Sequence, residues 1–141
     1  MNIDQIYRLF PTKATCVSHL EKVRWNDRPV CPYCGSDRRT PRPAEHRHHC
    51  NTCHKSYSVT VRTAFHQTQV DLQKWFFAVS FVLNAKKNIS VRQLSRKLQV
   101  NKNTAWRMGM RIREAMAQNS QRDLLKTLLE ADALRRDRFR A

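Results

Sequence analysis

The 141-residue chain is short of acid: 11 aspartates and glutamates stand against 27 lysines and arginines. That deficit excludes a charge-balanced surface and leaves a formal net charge of +16 with the histidines neutral. A positive field of this strength on a small protein selects polyanionic partners, phosphate polymers first. No uninterrupted apolar run approaches the roughly 20 residues a membrane-spanning helix needs. The opening MNIDQIYRLF does not read as a secretion signal. With only two glycines, no segment has the composition of long low-complexity disorder, and no internal repeat is present. The expectation is a soluble, cytoplasmic, nucleic-acid-facing protein of one compact domain or two very small ones, with no membrane partner. In a reducing compartment, paired Cys-x-x-Cys reads as metal before disulfide.

Four of the five cysteines form two such pairs: Cys31-x2-Cys34, fifteen intervening residues, then Cys50-x2-Cys53. A tight turn lets both thiolates of a pair reach one ion, and two pairs complete a tetrahedron, so the spacing predicts one structural Zn2+. Gly35 follows the first pair where a left-handed backbone is often needed, and His54 takes the equivalent place after the second. His46, His48, His49 and His54 are alternative ligands, but four thiolates already close the site. Closed coordination leaves no position for water or substrate, and no thioredoxin-like pattern surrounds either pair. So small a segment buries too little apolar surface to fold alone, and zinc binding of about 10 kcal/mol would supply most of its stability. Cys16, the fifth cysteine, lies at helical spacing with Leu20 and Val23 and reads as core, with Thr12 as N-cap.

After the ribbon, Tyr57, Val59 and Val61 alternate as in a short strand. The period then becomes helical. Asp71 is the expected N-cap of a helix that buries Leu72, Trp75, Phe76, Val79, Val82 and Leu83. Ser90 and Gln93 form a capping-box pair ahead of Val91, Leu94 and Leu98, and Asn101 caps the helix that follows. From Lys86 to Arg113 there are nine basic residues and no acid: Lys86, Lys87, Arg92, Arg96, Lys97, Lys102, Arg107, Arg111 and Arg113. Helix, short turn and capped helix make a helix-turn-helix pattern for a DNA major groove. Helical phase turns Ala105, Met108, Gly109, Ile112 and Met116 inward, with Trp106 at the edge of that face and expected in the core. Asn103, Arg107 and Arg111 fall opposite. Lys102, Asn103 and Arg107 are therefore candidates for base edges, Arg92, Arg96 and Lys97 for phosphates, and Arg111 for a further DNA contact. Arg38, Arg39, Arg42 and Arg47 of the ribbon are candidates for adjacent backbone. The overall expectation is an α+β fold, mainly α: a zinc ribbon with short strands, a helix-turn-helix bundle and a helical C-terminal tail.

The pieces CPYCGS, HHCNTCHKSYSVTVRTAFHQTQVDLQKWF and ISVRQLSRKLQVNKNTAWRMGMRIREAM, in this order, resemble the N-terminal part of certain bacterial insertion-sequence transposases. These carry a zinc ribbon, a helix-turn-helix and then a ribonuclease-H-like DDE nuclease domain. The resemblance covers roughly residues 10 to 117. The expected organisation is an N-terminal helix and lead-in over 1–28, the zinc ribbon over 29–62, the helix-turn-helix DNA-binding domain over 63–117 and a helical basic tail over 118–141, where the resemblance would have a catalytic domain begin. The resemblance also implies nucleoid association and binding to terminal inverted repeats, with a second copy or full-length transposase as protein partner. Glu130 and Asp132 stand where the first catalytic acid would, but one acid cannot build a two-metal site, so the chain reads as truncated and not an enzyme by itself. It would then compete with full-length enzyme for ends, a repressor-like role. A zinc-ribbon module docking on protein or RNA is the alternative the residues leave open.

Overall fold

Thr12 and Thr15 close a reciprocal cap. The Thr15 amide donates to Thr12 Oγ1 at 3.2 Å, and the Thr12 amide donates to Thr15 Oγ1 at 3.2 Å. These bonds satisfy donors that the first turn leaves without partners, so the chain enters helix at Lys13. It leaves at Asn26, in a left-handed conformation with φ 49°. The computed structural model describes residues 3–26, 28–66, 69–84 and 90–128. Its helices are α1 (Ile3–Leu9), α2 (Lys13–Trp25), α3 (Leu72–Asn84), α4 (Val91–Leu98), α5 (Lys102–Met116) and α6 (Asn119–Leu128). A small antiparallel sheet lies between α2 and α3, in the order β1 (Arg39–Arg42), β2 (Arg47–Cys50), β3 (Ser56–Tyr57). Its register pairs Arg39 with Cys50 and His48 with Tyr57. The fold is mainly helical with a small ribbon sheet, as the sequence led us to expect.

α3 is the axis of the helical part and packs against the other five helices. Its expected face is inside: Leu72, Trp75, Phe76 and Val79 are buried, and Val82 and Leu83 are half-buried. Phe77, Ala78, Gln73 and Ser80 are buried as well, because neighbours surround the helix on more than one side. Phe10 meets Phe76 edge-on with centroids 5.1 Å apart, and Gln73 Nε2 donates to the Phe10 carbonyl at 2.9 Å. Asp71 precedes α3 as expected, its carbonyl accepting from the Trp75 amide at 3.2 Å, while its carboxylate accepts from the Tyr7 hydroxyl at 3.5 Å. Residues of α1 and α2 therefore belong to one core with α3–α6, and the ribbon is an excursion from that core.

The segment after β3 departs from the expected strand. Tyr57, Val59 and Val61 are all buried, so the alternation is genuine, but extended pairing stops at Tyr57. Beyond it the Val61, Thr63 and His66 amides bond back to the Ser58, Thr60 and Thr63 carbonyls in successive turns. The Val59 and Val61 carbonyls are taken instead by the Arg24 guanidinium, whose Nη1 donates to them at 2.7 and 2.6 Å. Phe65 then plugs into the helical core against Trp75, with ring centroids 5.4 Å apart.

One buried polar residue has no counterpart in the sequence reading. His19 lies inside with its ring 4.9 Å from Phe10, and its Nε2 is 2.6 Å from the Leu128 carbonyl at the end of α6. A carbonyl only accepts, so Nε2 carries the proton. Burial lowers the pKa of His19, outweighing the Leu128 bond that favours the charged ring. A depressed imidazole pKa contributes stability above the unfolded value of about 6.5 and loses it as pH falls through the folded one. The His19 ring is accordingly expected to titrate below that value when its proton resonances are followed by NMR. Its contribution, taken as wild type minus His19→Gln, should shrink as pH falls.

Candidate metal centre and nucleic-acid interface

The two Cys-x-x-Cys turns are built alike, bond for bond. In the first, the Cys31 amide donates to the Ser36 carbonyl and the Gly35 amide to the Cys31 carbonyl, both at 2.9 Å. In the second, the Cys50 amide donates to Lys55 at 2.9 Å and the His54 amide to Cys50 at 3.0 Å. Gly35 (φ 78°) and His54 (φ 61°) take the left-handed step that each turn requires, glycine without cost and histidine as one of the residues that tolerate it. Ser36 and Thr52 join the turns through a 2.8 Å hydroxyl contact.

This places four sulfurs in one cluster, all within 4.8 Å of one another. Cys31 Sγ is 3.6 Å from Cys53 Sγ, and Cys34 Sγ is 3.5 Å from Cys50 Sγ. A zinc tetrahedron with bonds near 2.3 Å has edges of about 3.8 Å, so the donor set fits one ion. Charge also favours a cation. The Cys53 amide, 3.5 Å from Cys50 Sγ, leads the effects that hold that thiol down at about 6. The Ser36 amide favours the Cys34 thiolate too, yet desolvation and the three neighbouring sulfurs push Cys34 up to about 12. Four adjacent thiolates repel, and a divalent ion removes that conflict. Bound there, zinc supplies cross-linking alone, because the four sulfurs fill its coordination.

Among the described residues, the four-sulfur cluster takes in no histidine. His48 Nε2 lies 2.8 Å from Glu21 Oε1, and its ring stacks on Tyr57 with centroids 5.5 Å apart. His49 and His54 face each other with centroids 6.2 Å apart, and His46 turns the hairpin at φ 54°. Cys16 is fully buried among apolar side chains on α2, and burial, followed by the charge of Asp71, pushes its thiol up to about 12. This is an inert core thiol.

The arginines between the cysteine pairs are divided. Arg47 Nε donates to Ser56 Oγ at 2.8 Å and Nη2 to the Ser56 carbonyl at 3.1 Å, clasping β3. Arg39 Nη1 donates to the Asp37 carbonyl at 3.1 Å. Arg38 and Arg42 are exposed. A third group of cations escaped the sequence reading: Lys55 Nζ and Arg62 Cζ lie 5.0 and 5.6 Å from the ring centroid of exposed Tyr33. Cys31-Pro-Tyr-Cys34 shows the ring, but only folding brings Lys55 and Arg62 to it.

α4 and α5 meet across Gln99, Val100 and Asn101. Ser90 Oγ accepts from the Gln93 amide at 3.5 Å, and Asn101 Oδ1 from the Thr104 amide at 2.7 Å. Gln99 turns at φ 56°, and Ser95 Oγ fixes Val100 by donating to its carbonyl at 2.6 Å. Leu94 and Leu98 are buried together with Ala105, Met108, Ile112 and Ala115, while Gly109 and Met116 are half-buried. Arg92, Arg96, Lys97, Lys102, Asn103 and Arg107 are exposed. Trp106 is a correction: it is 56 % exposed, not core. It lies about 100° around the helix from buried Ala105. That places it three residues from Asn103 and four from Lys102, on their face, a signal helical phase could have given. Arg111 is partly committed, with Nη1 donating to the His66 carbonyl at 2.7 Å. Lys86, Lys87, Glu130 and Asp132, with the rest of the basic tail from 129 on, lie outside the described residues.

The ribbon has its own small core of Cys31, Cys50, Tyr57 and Val61, and Trp25 packs against both this core and the helical one. Replacing any of Cys31, Cys34, Cys50 or Cys53 by serine should abolish binding of one zinc per chain, measured by elemental analysis, whereas Cys16→Ala should keep it. Chelation should erase the ribbon's dispersed NMR signals and leave most of the helical circular dichroism, since the helices hold a separate core.

Residues 11–56 match the transposase zinc-ribbon domain of the IS1595 type, a span that takes in α2 as well as the ribbon. Over 112 residues the chain is 27% identical to an uncharacterized protein in transposable element ISH50 of Halobacterium salinarum. That alignment covers 77% of this chain and 37% of the relative, so the chain spans little more than a third of the relative's length. No solved structure matches the chain. Among the described residues, no helix is long and apolar enough to cross a membrane. The zinc-ribbon region is thus transposase-related, and the relative is archaeal where the sequence resemblance pointed to bacteria.

Proposed function

We propose that this chain is the DNA-binding part of an insertion-sequence transposase and that it recognises the ends of its element. The observation that carries the reading is the outward face of α5, where Lys102, Asn103, Trp106 and Arg107 stand exposed at the N-terminal end of the second helix of a tightly turned pair. Residues at that end of such a helix reach base edges in the major groove. Asn103 offers the paired donor and acceptor that suit adenine, and Arg107 the fork that suits guanine. Trp106 adds an apolar surface of the kind that meets thymine methyl groups. Arg92, Arg96 and Lys97, exposed on α4, contact phosphates and set the docking register, and Arg38 and Arg42 extend the positive surface onto the ribbon. The metal is structural: it gives the ribbon a fixed shape beside the helices.

Selection from a pool of random duplexes tests the reading. The chain should enrich one motif, and affinity for it should fall steeply with salt. Asn103→Ala and Arg107→Ala should each lower the preference for that motif over random DNA by about 5- to 150-fold, the worth of one bidentate base contact. Equal losses on both DNAs would remove these residues from base readout. Selective binding of structured RNA, with no enriched duplex, would overturn the reading.

A further inference from the structure

The contact of the ribbon with nucleic acid has a different geometric candidate from the hairpin arginines. The Tyr33 ring draws together Lys55 and Arg62, and among the described residues neither cation is paired with a carboxylate. Two cations held around one aromatic ring repel each other, and the ring offsets only part of that repulsion. Arg62 is also held at φ 61°, a left-handed conformation that an unbranched glycine adopts freely and arginine does not. Arg24 adds to the crowding: burial first and the charge of Arg62 second lower its pKa. A strained, unpaired cation presented beside an exposed ring is a place for an anion to bind.

The positive surface does not end there. A shallow cleft of about 280 Å³ runs from Arg62 to Arg111, with Glu114 as the acidic residue on its wall. A second cleft, of about 320 Å³, shares Arg111 and reaches Arg107 on α5. Arg111 spends one N–H on the His66 carbonyl and has further donors in its fork for a ligand. Both clefts are partly open to solvent, which lets a polymer backbone lie across them.

Building on the DNA reading of α5, we propose that Tyr33, Lys55 and Arg62 form the phosphate site of the ribbon, continued through Arg111 to Arg107. One DNA duplex docked on α5 then has its backbone carried onto the knuckle face of the ribbon. The β1–β2 hairpin is the lesser contact, because Arg47 commits both Nε and Nη2 to Ser56.

The zinc-loaded full chain is titrated into a fluorescent random-sequence duplex of about 30 base pairs at a series of salt concentrations. Each phosphate contact contributes about 0.9 to the slope of log affinity against log salt. The Lys55→Ala/Arg62→Gly double variant should lower that slope by about 1.5 to 2 and weaken binding at least about tenfold at low salt. Glycine accepts the left-handed step, so zinc content and thermal stability should be kept, which separates a binding role from a folding role. Arg38→Ala/Arg42→Ala should change the slope less. A double variant with the wild-type slope overturns the track while the DNA reading of α5 stands. Wild-type protein that binds no duplex overturns both.

Discussion

Arg24 is the joint of this molecule. Its guanidinium reaches out from the last turn of α2 to the Val59 and Val61 carbonyls and lies 5.1 Å over the Trp25 ring. No carboxylate balances it among the described residues; its partners are backbone carbonyls and an aromatic face. Partly buried bonds of this kind are stronger than those in water, since little solvent competes for the donor. They turn the chain out of the sheet and aim Phe65 into the helical core. Next to it, Trp25 packs against both hydrophobic clusters, 5.8 Å and edge-on from Tyr57. A ribbon that folded on zinc alone would be free to swing. Arg24 and Trp25 fix it against α2, and the matched span of the transposase zinc-ribbon domain includes that helix.

The helical part follows a second logic, in which α3 serves every neighbour. Because α3 is enclosed, α1 and α2 on one side of the ribbon in sequence share a core with α4, α5 and α6 on the other. His19 on α2 ties the end of α6 into that core through Leu128, a bond across 109 residues. Packing on α3 fixes the inward faces of α4 and α5 and so determines which side chains of α5 are presented outward. The exposure of Asn103, Trp106 and Arg107 is thus a consequence of burying Ala105, Met108 and Ile112.

Metal and charge act at different levels here. Zinc binding is a folding term, because four thiolates this close repel one another until a cation sits among them. Apart from Arg24 and Arg47, which tie segments together, most basic residues contribute little to the fold. Those on α4 and the outward face of α5 pair with no acid among the described residues, which leaves their charge available to a partner.

Much of this was determined by the sequence alone. The spacing of the cysteine pairs predicts the four-sulfur cluster, because a turn of fixed length sets which thiolates can converge. The 3.6-residue period finds α3, α4 and α5, and the caps at Thr12, Ser90 and Asn101 mark three of their starts or those of α2. What failed needed contacts between distant segments. Val59 and Val61 alternate like a strand, but the Arg24 guanidinium 35 and 37 residues away claims their carbonyls. His19 reads as one polar residue on a helix until Leu128 and Phe10 enclose it. Trp106 lies at the edge of the inward face by helical phase and reads as core, whereas the packing of α5 on α3 and α4 leaves that edge in solvent. The same holds for Tyr33, Lys55 and Arg62, which are scattered along the chain and share a surface only because the second knuckle folds back on the first. Local spacing fixes local geometry, and the choice of which polar groups are left for solvent and ligand belongs to the tertiary fold.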